Sequence, residues 1–405
     1  MLSPSTQIAT ALEQTDETRP GIAGLAPAEL TAWLATLDEP AFRARQIVDA
    51  VWRTDARSAL EIPTLPKPLR TALDATYRWD TIEAEELVLA DGGATEKALH
   101  RLADGLAIES VLMHYPGGSG RRERDTLCIS SQVGCAVGCP FCATGELGFG
   151  RDLTTAEILD QVRSATRRLT PAGRHLTNIV FMGMGEPLLN LDRVLEAVAA
   201  LNDPARFGLG ARHITVSTSG VVPGIQRLTA LGPQFTLAVS LHAARDALRD
   251  VLVPLNRRWP VGEVVAAARE HARATRRRIS YEVTMIGGVN DTDLDADAMA
   301  SLLAGDLAHV NLIPMNPVAH TPWTASPMAV IERFAARLRA AGLPVTIRRN
   351  RGQEVGAACG QLAAERAGAP PVAAVAWRRR RLEEASAAAL GGHRSDEPLP
   401  AGIDR

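Results

Sequence analysis

Residues 127–142 read LCISSQVGCAVGCPFC, a short β-branched run passing into a loop that holds the bulk of the chain's five cysteines. The run LCISS has the composition of a strand, and the Gly-rich stretch after it reads as a loop. Within that loop Cys135, Cys139 and Cys142 are spaced C-x3-C-x2-C, with Phe141 inside the motif. Structural zinc sites pair C-x2-C units to close a tetrahedron, and here the second pair is missing. Three thiolates in a compact loop suit a [4Fe-4S] cluster with one iron left open to a substrate. On spacing alone, a zinc site recruiting Cys128 as fourth ligand stays open. The fifth cysteine, Cys359, stands far off in AACGQL, 357–362.

Downstream of Leu127, β-branched runs alternate with helical periodicity. The strand candidates are LCISS, TNIVFMG, HITVSTSG, FTLAVSLH, ISYEVTMIGG, HVNLIPMN and VTIRR, and patterns such as LDRVLEAVAALN (191–202) lie between them. That order predicts parallel strands joined by right-handed crossovers, hence an α/β fold and a partial (β/α)6-type barrel over 127–365. Chemistry in such barrels collects at the C-terminal strand ends. Those ends carry Gly183, Gly185 and Glu186 in GMGEP, Ser217 in STSG, Ser240, Leu241 and His242 in SLH, and Asn316 in MNP.

Upstream, apolar residues at three and four spacings between Pro breaks predict a small helical domain over 23–79. Alternation and two Asp-Gly turns predict a β-meander over 80–126. Residues 1–22 and 366–405 have the composition of a flexible leader and tail.

A chain of 405 residues can bury a large core. It shows neither a signal peptide nor an apolar run long enough to span a bilayer, and its cysteines are few and clustered. The cytoplasm is therefore the expected compartment. A net charge of −2 argues against bulk electrostatic grip on nucleic acid. It leaves room for local basic patches, of which RATRRR (273–278), RRNR (348–351) and WRRRRL (377–382) are candidates. Arg43, Arg45, Lys67 and Arg70 in the helical region are further candidates for such patches. With 4% aromatic residues, the chain offers few stacking platforms for single-stranded bases.

The cysteine spacing ahead of an α/β barrel resembles the radical S-adenosylmethionine superfamily. LCISSQVGCAVGCPFC, GMGEPLLN, HITVSTSGVVP and RNRGQEVGAACGQL together resemble the RlmN family of adenine carbon-2 RNA methyltransferases, over about residues 26–363. The resemblance implies a [4Fe-4S] cluster on Cys135, Cys139 and Cys142, whose open iron takes the methionine end of S-adenosylmethionine. Gly185, Glu186, Ser217, Ser240, Leu241, His242 and Asn316 would surround that molecule. Two S-adenosylmethionine molecules are implied per turnover: one methylates Cys359, and the other yields a radical that activates the new S-methyl group. Glu109 in AIESVLMHY would accept a proton, and Cys128 would release product by forming a transient disulfide with Cys359.

Such a route suits carbon 2 of adenine, an electron-poor position with no lone pair for direct methyl displacement, whereas a thiolate accepts a methyl group readily. The implied partners are 23S rRNA at the peptidyl-transferase centre, the adenosine next to the anticodon in tRNAs, and an external flavodoxin- or ferredoxin-type electron donor. A cytoplasmic monomer without membrane contact is expected. The alternatives are a Cfr-like adenine carbon-8 methyltransferase and a zinc-stabilised RNA-binding protein without catalysis.

Overall fold

The computed structural model describes residues 19–118, 122–319, 321–348 and 351–362. Most of the expected leader, the expected tail 366–405 and the run WRRRRL lie outside the described residues.

The chain joins the fold slightly before the expected end of the leader: Gly21 bridges to Arg78 and Ile22 is buried. Three helices follow, α1 (Pro27–Ala35), α2 (Phe42–Trp52) and α3 (Lys67–Thr76), with Leu30, Leu34, Ile47, Leu69 and Leu73 packed in their shared core. Prolines at the first turns of α1 and α3 start those helices where an N–H has no partner to lose.

Next come β1 (Ile82–Ala90), β2 (Thr95–Leu102), β3 (Ala107–Tyr115) and β4 (Arg124–Cys128), an antiparallel meander. The meander is not a separate linker, because β3 pairs with β4 and β4 pairs in parallel with β7 (Asn178–Phe181). The sheet continues through β8 (Ile214–Thr218), β9 (Thr236–Ser240), β10 (Ile279–Met285) and β11 (Ala308–Pro314) to β12 (Val345–Ile347). The result is a ten-stranded sheet with two free edges, an open barrel wall whose parallel part runs from β4 to β12.

Between the parallel strands lie α5 (Thr155–Leu169), α6 (Leu191–Asn202), α7 (Val222–Leu231), α8 (Asp246–Leu252), α9 (Val261–Thr275), α10 (Asp293–Leu302) and α11 (Met328–Ala340), with a shorter α4 (Ala143–Leu147) in the cysteine loop. In β8, Ile214 and Val216 are fully buried while Thr215 and Ser217 alternate with them. This period of two turns polar side chains toward the inside of the curled sheet. A small hairpin of β5 (Gln132–Gly134) and β6 (Phe149–Asp152), absent from the sequence expectation, brackets the cysteine loop. No helix among the described residues is long and apolar enough to cross a membrane.

The helical region is bolted to α5 by buried charge. Arg163 on α5 donates to Asp160 at 2.7 Å and to the Trp79 carbonyl at 2.5 Å, and reaches Asp80 at 3.3 Å. Arg167 spans Asp55 and Asp80, each at 2.7 Å. Thr81 donates to Asp160 through both its N–H and its hydroxyl. A capping box of Thr154 and Glu157 starts α5 and fixes the direction of these arginines. Arg163→Ala would leave the buried Asp160 without its charge partner, and a loss of about 3–5 kcal/mol is expected, measured as a lower denaturant midpoint at unchanged slope.

Candidate active site at the strand ends

Each thiol of the C-x3-C-x2-C loop is positioned by backbone. The Cys135 N–H donates to the Gly148 carbonyl at 2.7 Å, which ties the loop to the β5–β6 hairpin. Gly145 in α4 lies so close to Cys139 that an added Cβ would stand 2.8 Å from its carbonyl oxygen. Burial drives all three thiols above their ordinary range, Cys135 to about 12 and Cys139 well above its ordinary value, with the neighbouring thiols adding to the effect. N–H groups of Val137 and Gly138 on Cys135, and of Gly145 and Thr144 on Cys142, pull the other way.

Such thiols lose their protons only to a strongly cationic ligand. Three thiols bordering one cavity form the donor set of a [4Fe-4S] cluster that keeps one iron without a protein ligand.

The loop borders a cavity of about 150 Å3 that also receives Gly185, Glu186, Ser217, Ser240, His242 and Asn316. Gly185 has φ +99°, and a Cβ there would stand 2.6 Å from that of Gln132, so only glycine fits. Glu186 accepts from Leu188 N–H at 3.1 Å, Ser219 N–H at 2.7 Å and Ser219 Oγ at 2.8 Å. Burial raises its pKa, and these donors together with the Thr218 side chain oppose that rise. The Ser217 hydroxyl donates to the Phe181 carbonyl at 2.6 Å.

His242 adopts a left-handed φ of +60° and packs edge-on against Phe141, ring centres 4.7 Å apart. Its Nδ1 accepts the Thr284 N–H, and burial with Arg249 nearby lowers its pKa to about 3, so the ring is neutral. Leu241 does not line the cavity: its side chain is fully buried in the core, and its N–H and carbonyl are engaged by Glu282 and Arg249.

Sequence reasoning missed two residues here. Arg249 on α8 is fully buried and donates to the carbonyls of Ser219, Ser240 and Leu241 and to Asn256, gathering the ends of β8 and β9 beneath the loop. Glu282 on β10 lines the cavity, and its Oε2 is a buried acceptor without a hydrogen-bond partner, which marks the cavity as built for a polar ligand. In its sequence Arg249 looks like an ordinary surface arginine, and Glu282 like one polar residue of a strand.

A second recess of about 40 Å3 lies beside the first and is lined by Val111, Met113, Tyr115, Cys128, Arg348, Arg351 and Cys359. Cys359, Asn316, Met182, Ile313 and Arg348 border both spaces. The segment 351–362 that delivers Cys359 is pinned along its length. Gly352 N–H donates to Asp91, the Cys359 carbonyl accepts Asn316 Nδ2 at 2.9 Å, the Gly360 carbonyl accepts Ala143 N–H at 2.7 Å, and the Leu362 carbonyl accepts Thr144 Oγ1 at 2.6 Å. Asn316 in turn accepts from Gln353 at 2.7 Å, so its amide holds the segment carrying Cys359 as well as facing the cavity.

Burial raises Cys128 to about 12, with Cys359 nearby adding, while the Met182 N–H and Arg348 oppose. Cys359, in the same field, keeps Arg348 charged despite burial. Both cysteines are free thiols, Cys359 exposed and Cys128 buried. Glu109 is buried on β3, on the face that also presents Val111 and Met113, and pairs with Lys97 at 3.0 Å. It lines neither space. In the helical region Arg43 is folded back onto Gln46 and the Thr64 carbonyl, whereas Arg45 is exposed.

These environments predict unequal thiol reactivity. With a pKa near 12, Cys128 holds only about one part in ten thousand as thiolate at pH 8. Iodoacetamide is therefore expected to modify exposed Cys359 well before Cys128, read by peptide mass spectrometry.

Residues 129–299 match the family profile described as the Radical SAM superfamily. A protein of Parafrankia sp. (strain EAN1pec), "Probable dual-specificity RNA methyltransferase RlmN", is 48% identical over 88% of this chain and 94% of its own. Its namesake from Thermobifida fusca (strain YX) is 48% identical over 85% and 94%. The crystal structure of a radical SAM methyltransferase from Sphaerobacter thermophilus superposes with a TM-score of 0.82 at 47% identity, covering 85% of this chain and 99% of that one. At this identity and over this share of its length, the chain belongs to the RlmN family of radical SAM RNA methyltransferases.

Proposed function

We propose that this enzyme methylates carbon 2 of an adenine in 23S rRNA at the peptidyl-transferase centre, and of the adenosine next to the anticodon in tRNAs, through a methyl group carried on Cys359. The observation that carries this reading is the position of Cys359, bordering the cavity of the cysteine loop on one side and the Cys128 recess on the other. The name of the relatives, dual-specificity RNA methyltransferase, supports RNA as the substrate.

Cys135, Cys139 and Cys142 would hold a [4Fe-4S] cluster, with Gly185, Glu186, Ser217, Ser240, the Leu241 backbone, His242 and Asn316 around S-adenosylmethionine. When bound, this pair supplies a methyl cation equivalent and a one-electron hydrogen abstraction, which makes two S-adenosylmethionine molecules per turnover. Cys359 receives the methyl on sulfur, gives up one hydrogen from that methyl, and presents the carbon to adenine carbon 2. Glu109, partnered by Lys97, takes the proton leaving carbon 2 as the ring regains aromaticity, and the electron released with it would pass to the redox group that Cys135, Cys139 and Cys142 would hold. Cys128 then attacks the Cys359 sulfur, forming a disulfide as the carbon–sulfur bond to RNA breaks, and the released carbon takes the bond's electron pair and a proton to become the methyl group. Arg348 and the Met182 N–H favour the Cys128 thiolate at that moment. Buried His242 stays neutral and adds no charge beside a cationic cosubstrate.

An external flavodoxin- or ferredoxin-type donor supplies electrons, and the enzyme acts as a cytoplasmic monomer. A carbon-8 product, as in the Cfr relatives, would use the same cysteines, and chromatography of digested RNA separates 2-methyladenosine from 8-methyladenosine.

Two measurements test the reading. Protein purified without oxygen is expected to carry about four irons per chain with labile sulfide, and one zinc on a colourless protein would overturn it. Cys128→Ala is expected to accumulate RNA bonded to Cys359, seen as a slow-migrating band on a denaturing gel. Absence of that adduct, with Cys359 methylated, would remove Cys128 from its assigned step.

A further inference from the structure

The geometry points to a phosphate-binding clamp, built from Arg124, Tyr115 and Arg351, that grips the RNA backbone beside the target adenine at the mouth of the Cys359 recess. The inference deepens the proposed function and rests on RNA being the substrate.

Tyr115 closes β3 and Arg124 opens β4, and the two are paired across the strands. The Arg124 guanidinium carbon lies 4.3 Å from the centre of the Tyr115 ring, and that of Arg351, from the segment carrying Cys359, lies 4.4 Å from the same centre. Arg351 also donates to the His114 carbonyl at 2.8 Å, which fixes it in place. Two cations drawn to one ring repel each other, and the usual remedy is an adjacent carboxylate. Among the described residues neither Arg124 nor Arg351 has one. The nearest candidates in sequence, Glu123 and Asp125, are engaged by His114 and Arg174.

Arg348 adds a third guanidinium to the recess shared by Tyr115, Arg351 and Cys359. Its nearest carboxylate oxygen, on Glu282, is 4.0 Å away. This is a strong local positive field on a chain of net charge −2, and it stands beside the thiol that an adenine must reach.

The chemistry selects phosphate. Guanidinium forks match phosphodiester oxygens in pairs, and with cations over Tyr115 much of that ring is taken up, so it is a brace for arginines more than a platform for a base. An adenine drawn out of its stack toward Cys359 brings its flanking phosphates to the mouth of the recess. Phosphate contacts there set register without reading sequence, which suits one enzyme acting on two RNA classes.

The test is a titration of a fluorescein-labelled RNA stem–loop, with an adenosine in its loop, against the reconstituted full-length enzyme at several KCl concentrations. For R124Q and for R351Q the plot of log affinity against log salt is expected to be shallower by about 0.7–0.9 for each charge removed. R124K, which keeps the charge, is expected to retain the wild-type slope. Slopes equal to wild type in both glutamine variants would overturn the inference. So would an equal loss of slope in R124K and R124Q, since the residue would then act through folding and not through charge. Binding is measured without turnover, so these results stand apart from the proposed function, whose failure would appear as wild-type enzyme that forms no methyladenosine.

Discussion

The architecture depends on the return of residues 351–362 across the open side of the sheet. A curled sheet with free edges at β1 and β12 leaves its interior accessible, and this segment covers part of it while fastening to both flanks. At one end Gly352 and Arg351 bond to Asp91 and the His114 carbonyl on the meander side. At the other, Gly360 and Leu362 bond to Ala143 and Thr144 in the cysteine loop. Gly352, Gly360 and Leu362 make these contacts through backbone atoms and Arg351 through its guanidinium, so the path of the segment is held mainly by its main chain. Cys128 and Cys359 meet for that reason, although they lie far apart in the chain.

A second constraint is the buried Arg249. A guanidinium without solvent must have its donors filled, and here they are filled by strand-end carbonyls. Burial lowers its pKa to about 10, opposed by Cys139, Asp246 and Asp250, so it remains charged at neutral pH. The cost of burying it is offset by holding β8 and β9 in register where Ser217, Ser219, Ser240 and His242 must converge. The ion network of Arg163, Arg167, Asp55, Asp80 and Asp160 does comparable work outside the sheet, joining the helical region to α5.

Much of this was legible in the chain itself. The β-branched runs ending in GMGEP, STSG, SLH and MNP are strands, and LDRVLEAVAALN is a helix over the residues its periodicity suggests. Local patterns are readable because strand and helix periods are set by neighbours in sequence. The β4–β7 pairing that fuses the meander to the parallel strands, Thr126 opposite Asn178, is long-range, and alternation within either strand carries no trace of it. The β5–β6 hairpin is too short to show a period. Arg249, in the amphipathic DALRDVL, and Arg43, folded back on its own domain, show how an arginine's burial depends on tertiary contacts. Leu241 shows the converse: the SLH motif reaches the cavity on either side of a residue whose own side chain faces the core.

The way Asn316 holds Cys359 has a consequence for motion. The amide grips the carbonyl of Cys359 and leaves the thiol untouched, so the freedom left to the residue is rotation about its Cα–Cβ bond. Side chains of this kind occupy three staggered wells and exchange between them in picoseconds to nanoseconds when exposed. Since the residue borders two spaces, a turn about one bond redirects its sulfur from one toward the other while the backbone stands still. The thiol is thus an arm one bond long, and its turning requires no loop to open.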